Sequence, residues 1–275
     1  MKQWMAGDYI SHETKLHYYR TGGDKPPLVL MHGITDDGLC WTPVAEVLAD
    51  QHDVIMVDLR GHGKSDAPDQ GYDYETMARE VADLIEGLVL ENPVVMGHSL
   101  GAMTSLTLAA LNPDLPRAII LEDPPAFWRV GPPLQEEELD VRAEMRAWFY
   151  EVKRKTRAEL LEAIRSENPG WSEAELGPWA DAKHRFSLEI TRMLDPQETV
   201  PANFPALLEN ITCPVLLITA DPERGAILTD EDVTVLQKSV PHLKRVHIPG
   251  AGHNIRREQF SRYLEVVNSF LGQMG

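Results

Sequence analysis

Short apolar runs alternate along the chain with segments of helical periodicity. The runs cover residues 28–31, 54–57, 94–96, 118–121 and 215–219. They contain almost no polar residue, which is typical of strands that are buried on both faces of a sheet. Residues 74–90 place Met77, Val81, Leu84 and Leu88 three or four positions apart, which predicts an amphipathic helix. The alternation predicts a mostly parallel, doubly wound sheet with helices on both faces.

The two ends of the chain extend this pattern. Residues 15–20 alternate between polar and apolar side chains and predict an early strand that pairs with residues near Tyr9. Toward the other end, the pattern predicts a helix over 230–239, a strand over 244–248 and a last helix over 258–271.

Residues 126–205 interrupt the alternation. This stretch is rich in Glu, Arg, Trp and Ala, and it contains no run that resembles a strand. Its composition predicts helices over 136–154, 157–166 and 178–193. We therefore expect an all-helical cap over 126–205, inserted into an α/β core formed by residues 1–125 and 206–275.

The most informative motif follows the apolar run at residues 94–96. There Gly97, Ser99 and Gly101 form a Gly-x-Ser-x-Gly sequence, and an Ala- and Leu-rich helical segment comes next. A serine at such a strand-to-helix turn has a strained backbone, and glycines on both sides avoid steric clashes. The turn exposes the hydroxyl above the sheet, so the sequence predicts that Ser99 is a nucleophile.

A serine nucleophile needs a base, and the base needs an acid that orients it. His253 is the preferred base, because a glycine-rich loop after the last predicted strand brings it to the strand ends. Three acids also follow predicted strands. Asp221 is preferred because it stands closest to its strand and precedes a proline, and the alternatives are Asp123 and Glu223.

Catalysis of this kind also needs backbone donors for the oxyanion of the tetrahedral intermediate. The N–H of Leu100 is one by the geometry of the turn, and the N–H of Ile34 is the expected second donor. We expect His32 to shape the loop that carries Ile34, and His98 to have a structural role beside Ser99.

Together these motifs resemble the α/β-hydrolase superfamily. The likeness rests on the order Ser99, Asp221, His253, on the His32-Gly33 loop, and on the glycine-rich segment at residues 60–65. It implies an eight-stranded sheet, a helical cap inserted after the sixth strand, and a Ser-His-acid triad with no cofactor and no metal.

The resemblance leaves the acid open. The usual acid loop of the superfamily is Gly-x-x-Asp, which aligns Glu223 rather than Asp221 with the acid. Some lactone hydrolases and dehalogenases of this fold instead use an acid after the sixth strand. Asp123 stands 24 residues after Ser99, as that acid does after its nucleophile.

Composition limits the partners. The net charge is −17, with 43 acidic and 26 basic residues, which argues against nucleic acid and anionic membrane surfaces. Two cysteines and no apolar leader favour a cytoplasmic protein. We expect a monomer or homodimer that acts on a small molecule.

A serine nucleophile favours acyl transfer to water and excludes the haloalkane dehalogenases and epoxide hydrolases of the fold, which use a carboxylate. We expect a carboxylic-ester hydrolase for a medium-to-large apolar ester or lactone, with a macrocyclic lactone such as a macrolide as one option. The side chains expected to line its pocket are those of His32, Trp41, Phe127, Trp128, Trp148 and Trp179.

Two alternatives remain open. The same triad could serve a C–C bond hydrolase or a perhydrolase. A C–C hydrolase should place basic side chains near an anionic substrate, and Arg129, Arg142 and Arg146 keep this option open. The second alternative is a ligand receptor built on the hydrolase fold.

Overall fold

The sheet has eight strands. The computed structural model describes residues 4–128, 136–195, 200–201 and 203–274, and for residues 136–139 it describes the backbone alone. The strands are β1 (Met5–Ser11), β2 (Thr14–Arg20), β3 (Pro27–Met31), β4 (Asp53–Val57), β5 (Val94–His98), β6 (Ala118–Glu122), β7 (Val215–Thr219) and β8 (Lys244–His247). These bounds confirm the sequence-based strands to within a few residues.

The strand order is β1-β2-β4-β3-β5-β6-β7-β8. Strands β1 and β2 form an antiparallel hairpin, and β2 is also antiparallel to β4. All other pairs are parallel, so the carboxyl ends of six neighbouring strands lie along one edge. Strand β5 lies between β3 and β6, and it delivers Ser99 to the middle of that edge.

Side chains of the central strands alternate between two hydrophobic clusters. On β3, Val29 and Met31 belong to one cluster, whereas Leu28 and Leu30 belong to the other. Since successive side chains of a strand point to opposite faces, the two clusters are the two faces of the sheet. Continuous apolar runs are required here because helices cover both faces.

The helices confirm the expected layered architecture. They are α1 (Thr42–Leu48), α2 (Tyr74–Gly87), α3 (Leu100–Leu111), α4 (Glu136–Arg154), α5 (Arg157–Glu167), α6 (Glu173–Arg185), α7 (Phe204–Leu207), α8 (Asp230–Ser239), α9 (Ile255–Glu258) and α10 (Phe260–Leu271). Short 3₁₀ turns include Gly38–Trp41, Leu188–Leu194 and Pro222–Arg224.

The helix expected over 178–193 is wrong in its bounds. Helix α6 begins at Glu173, so Pro178 lies inside it, and it ends before Phe186, whose ψ of 148° is extended. A 3₁₀ turn over Leu188–Leu194 replaces the remainder. The acidic residues Glu173 and Glu175 occupy the first turn, where the helix dipole favours negative charge.

Helices α4 to α6 lie between β6 and β7 in the chain. Their buried side chains, such as Phe149, Leu160 and Trp179, share one hydrophobic cluster with residues of the sheet. The proposed cap boundaries of 126 and 205 enclose residues outside the described ranges, so this division stays a prediction. Within the described ranges, no helix has both the length and the apolar composition to cross a membrane.

Candidate active site

Ser99 lies between β5 and α3 in a strained conformation. Its φ is 51° and its ψ is −113°, a combination that non-glycine residues rarely adopt. A Cβ on Gly97 would lie 2.2 Å from the carbonyl group of Gly101, and a Cβ on Gly101 would lie 2.2 Å from the carbonyl oxygen of Met31. The flanking glycines are therefore required because backbone segments meet there without room for a side chain.

Both neighbouring strands hold this turn. The N–H of Ser99 donates to the carbonyl oxygen of Glu122 at 2.9 Å, at the end of β6. The N–H of Gly101 donates to the carbonyl oxygen of His32 at 3.0 Å, just after β3. The strain at Ser99 is thus opposed by hydrogen bonds on either side, which is how an unfavourable backbone conformation persists in a folded protein.

Asp123 is the acid that contacts His253. The His253 Nδ1 atom lies 2.7 Å from the Asp123 carboxylate, and Asp123 is fully buried. The backbone N–H groups of Ile227 and Leu228 also donate to this carboxylate, at 2.8 and 3.2 Å. These donors compensate the burial of the charge and fix its orientation.

Asp221, the preferred acid, does not contact His253. Its carboxylate accepts the N–H of Gly250 at 2.7 Å and lies 2.9 Å from His247 Nε2. The Gly250 N–H, followed by His247, lowers the pKa of Asp221 below its usual value. The other alternative, Glu223, is exposed in a 3₁₀ turn.

Strand position explains this correction. Asp123 follows β6, which pairs directly with β5, whereas Asp221 follows β7, one strand further from Ser99. Proximity to a strand end along the chain did not distinguish the two acids, because both stand within two residues of a strand end. The lateral order of the strands does distinguish them, and the spacing of 24 residues from Ser99 was the sequence signal that pointed to Asp123.

The loop after β3 brings the N–H of Ile34 to this edge of the sheet. Thr35 has a φ of 68°, and its N–H donates to His62 Nε2 at 3.2 Å. Within the described part of the chain, the N–H groups of Ile34 and Leu100 donate to no protein acceptor. Leu100 also begins α3, where the helix dipole favours a negative charge.

His32, which we expected to shape this loop and to line the pocket, lies in the protein interior, where it has no surface to offer a ligand. It is fully buried, and both ring nitrogens are engaged: Nε2 accepts the N–H of Leu59 at 3.1 Å and Nδ1 contacts the carbonyl oxygen of Gly33 at 2.8 Å. Burial lowers the pKa values of His32 and of His62. Both imidazoles are therefore neutral and serve as hydrogen-bonding groups.

His98 has the structural surroundings that the sequence suggested. Its Nε2 lies 3.0 Å from the carbonyl oxygen of His253, and the two rings are 4.6 Å apart. Burial lowers the pKa of His98 well below its usual value, so the neutral ring donates from Nε2. A Cβ on Gly33 would lie 2.7 Å from His98 Nδ1, so only glycine fits there.

Two of the expected pocket residues are buried in packing contacts. Trp41 is 0% exposed and belongs to the cluster on the sheet face opposite helices α4 to α6, with the Arg256 guanidinium 4.3 Å above its ring. Trp128 is also buried, and its indole N–H donates to the carbonyl oxygen of Asp232 at 2.9 Å. The expectation that both line a pocket is contradicted by this packing.

The other aromatic residues lie on the same sheet face as α4 to α6. Phe127 is partly buried against Tyr74, with the rings 5.6 Å apart. Trp179 is 8% exposed and packs edge-to-face on Trp171, whereas Trp148 on α4 is 39% exposed. Only Phe127 and Trp148 retain enough exposure to contact a ligand in this state.

Two of the three arginines that kept a C–C bond hydrolase possible lie in the described residues, and both make contacts within the protein. Arg142 donates to the carbonyl oxygens of Leu194 and Asp195, and Arg146 pairs with the Asp195 carboxylate at 2.8 Å. Arg129 lies outside the described residues.

A group of buried ions beside the site was not anticipated from the sequence. Asp36 follows the Ile34 loop, and Arg256 and Arg257 follow His253. The signal in the sequence was the position of two like-charged pairs, residues 36–37 and 256–257, shortly after the motifs that contain Ile34 and His253. Sequence alone could not show that these pairs meet.

Comparison with known proteins agrees with this geometry. A model of the alpha/beta hydrolase family matches residues 28–267. The chain belongs to the alpha/beta hydrolase family. The chain is 28% identical over 264 residues to the 2-(acetamidomethylene)succinate hydrolase of Mesorhizobium japonicum. The matched region covers 92% of this chain and 90% of that protein.

Two further similarities cover nearly the whole length. The N-formylmaleamate deformylase of Pseudomonas putida is 26% identical over 275 residues, 98% of each chain. The solved enol-lactonase from Burkholderia xenovorans LB400 superposes with a TM-score of 0.74 at 23% identity, covering 97% of this hydrolase-family chain and 100% of that chain. The latter likeness concerns the fold alone.

Proposed function

We propose that the protein is a serine hydrolase in which Ser99 attacks an acyl carbon, His253 transfers the proton and Asp123 orients His253. The observation that carries this proposal is the 2.7 Å contact between His253 and a fully buried Asp123, on the strand next to the strained Ser99 turn. Nucleophile, acid and base thus follow β5, β6 and β8, whose carboxyl ends lie along one edge of the sheet.

The Asp123 contact determines which tautomer of His253 reacts. With Nδ1–H donating to the carboxylate, Nε2 carries the lone pair that accepts the Ser99 proton. Ser99 Oγ then bonds to the carbonyl carbon, and the carbonyl oxygen takes the negative charge beside the N–H groups of Ile34 and Leu100. His253 returns its proton to the leaving group, and an acyl-enzyme remains. Water, deprotonated by His253, then releases the acid product and regenerates Ser99.

An apolar ester or lactone is the substrate class that we propose, with macrocyclic lactones included. The net charge of −17 disfavours polyanionic substrates. On α4, Arg146 is already paired with the Asp195 carboxylate, and Arg142 is held by the carbonyl oxygens of residues 194 and 195.

Amide hydrolysis is the second candidate. Two relatives that span most of this chain are named for hydrolysing 2-(acetamidomethylene)succinate and for deformylating N-formylmaleamate. The same triad can cleave both bond types, because the steps differ only in the leaving group that His253 protonates.

The first test is Ser99→Ala against a substrate panel. We expect the wild-type protein to hydrolyse para-nitrophenyl butyrate and neutral lactones faster than N-formylmaleamate. Each reaction is measured by mass spectrometry, which detects the addition of water to the substrate. Ser99→Ala should reduce the active reaction at least about 10³-fold, since loss of a triad member costs orders of magnitude. Retention of more than a tenth of the activity would exclude Ser99 as the nucleophile. Preferential turnover of N-formylmaleamate would establish the amide candidate instead.

A further inference from the structure

Six charged side chains form a buried cluster beneath the Ile34 loop. Each is at most 4% exposed, and ion pairs connect all six into one network. The buried ion cluster consists of the anions Asp36, Glu122 and Glu175 and the cations Lys183, Arg256 and Arg257. Three negative and three positive charges balance, which is what burial of ions requires.

The cluster contacts the oxyanion loop through Asp36. The peptide that carries the Ile34 N–H is the one whose carbonyl group belongs to Gly33. That carbonyl oxygen accepts the backbone N–H of Asp36 at 3.1 Å and contacts His32 Nδ1 at 2.8 Å. The orientation of the expected oxyanion donor therefore depends directly on the position of the Asp36 backbone.

The position of Asp36 in turn depends on Lys183 of α6. The Lys183 ammonium donates to the Asp36 carboxylate at 2.9 Å and to the carbonyl oxygen of Thr35 at 3.2 Å. Burial alone would raise the pKa of Asp36, but Arg257, Lys183 and Arg256 hold it well below its usual value. Asp36 is thus a fixed carboxylate, bound on one side by Lys183 and on the other by Arg257 at 2.8 Å.

Two other ion pairs connect the same cluster to the remaining parts of the site. Arg257, four residues after His253, pairs with Glu175 of α6 at 3.2 Å. Arg256 pairs with Glu122 at 3.3 Å, and the Glu122 carbonyl oxygen accepts the Ser99 N–H. Helix α6 therefore contacts both the oxyanion loop and the helix after His253 through buried charges.

We propose that Lys183 is a positioning residue that orients the Ile34 N–H toward the oxyanion. This inference rests on the proposed function and extends it to a residue in α6, 84 positions after the nucleophile. An oxyanion forms only in the transition state, so loss of Lys183 should lower kcat and leave KM nearly unchanged. A residue that contributed only to folding would lower the active fraction of the enzyme, so kcat is calculated per active site from a titration of reactive Ser99, and it would then be unchanged.

The matched comparison is Lys183→Met with Lys153→Met. Both lysines lie on cap helices, donate to a backbone carbonyl oxygen and cover an aromatic ring, Lys183 over Trp179 at 4.6 Å and Lys153 over Phe186 at 4.5 Å. Lys153 donates to His184 and does not reach the Ile34 loop. Against the best ester from the panel, we expect Lys183→Met to lose about 10- to 100-fold in kcat. Lys153→Met should stay within about threefold.

Lys183→Met leaves the cluster with one excess buried negative charge, although Asp36 keeps its contacts with Arg256 and Arg257, and this excess charge destabilises the fold. The double variant Lys183→Met/Asp36→Asn keeps the cluster neutral and should restore thermal stability while kcat stays low. Binding of a trifluoromethyl ketone, which forms an oxyanion with Ser99, should weaken in parallel with kcat.

A folded variant without the Lys183 ammonium that keeps kcat within threefold of wild type would overturn the proposal. Unfolding of both variants would overturn it as well, because Lys183 would then matter for stability alone. Failure of the proposed function is separate, since it would show as activity in Ser99→Ala.

Discussion

Two histidine–carboxylate pairs lie at the same edge of the sheet, and they differ mainly in burial. His253 and Asp123 approach to 2.7 Å, and the Asp123 side chain is 0% exposed. His247 and Asp221 approach to 2.9 Å, and their side chains are 39% and 17% exposed. The same two residue types at nearly the same distance therefore occur once beside the nucleophile and once at the surface.

The difference supports our proposal that the buried pair, and not the surface pair, takes part in catalysis. Asp123 is removed from water and bound by two backbone N–H groups, so its charge acts on His253 at low dielectric. Asp221 instead orders its own surroundings, because its N–H donates to Ala251 and its carboxylate accepts the N–H of Gly250. Asp221 thereby supports the loop that leads to His253 without contacting His253.

Substitution of the two histidines should separate the pairs most strongly. We expect His253→Gln to reduce ester hydrolysis by at least about 10³-fold, because the variant lacks the base that we propose for Ser99. His247→Gln should stay within about threefold, since an exposed pair contributes little. Steady-state kinetics with one ester substrate checks both. Comparable losses in the two variants would show that burial does not distinguish the pairs.

Among the described residues, three buried histidines have no carboxylate partner, and their burial affects the free energy of unfolding. Burial lowers the pKa values of His32, His62 and His98, so the unfolded chain binds protons near pH 6.5 that the folded protein does not. Stability from these groups is therefore fully present above about pH 6.5 and declines as the pH falls below it toward the lowered pKa values of the folded protein.

Urea unfolding at pH 7.5, 6.5 and 5.5 measures this decline. His62→Gln should reduce the proton uptake on unfolding at pH 5.5. A free energy of unfolding that stays constant or rises as the pH falls would contradict the assignment of these rings as neutral.

Much of the fold was accessible from the sequence because its signals are local. The apolar runs of β3 to β7 and the glycines around Ser99 report burial and close backbone contact at the residues themselves. The alpha/beta hydrolase fold follows from their order, and the structure confirms the expected eight strands. The predicted start of α6 at Pro178 was wrong. A proline is favoured in the first turn of a helix, but Pro178 lies further inside α6.

The parts that escaped prediction depend on lateral contacts. The choice between Asp123 and Asp221 required the strand order β5-β6-β7, and the burial of Trp41 required knowing which sheet face it covers. The buried ion cluster brings together residues 36, 183 and 257, which no pattern along the chain connects.

The most direct measurement compares kcat for Asp123→Asn and Asp221→Asn in one ester assay. Asp123→Asn preserves the shape of the side chain but removes the charge that holds Nδ1–H on His253, so we expect a loss of about 10³- to 10⁴-fold. Asp221→Asn should remain within about threefold of wild type. A large loss in Asp221→Asn together with near-normal turnover in Asp123→Asn would contradict the assignment of Asp123 as the acid.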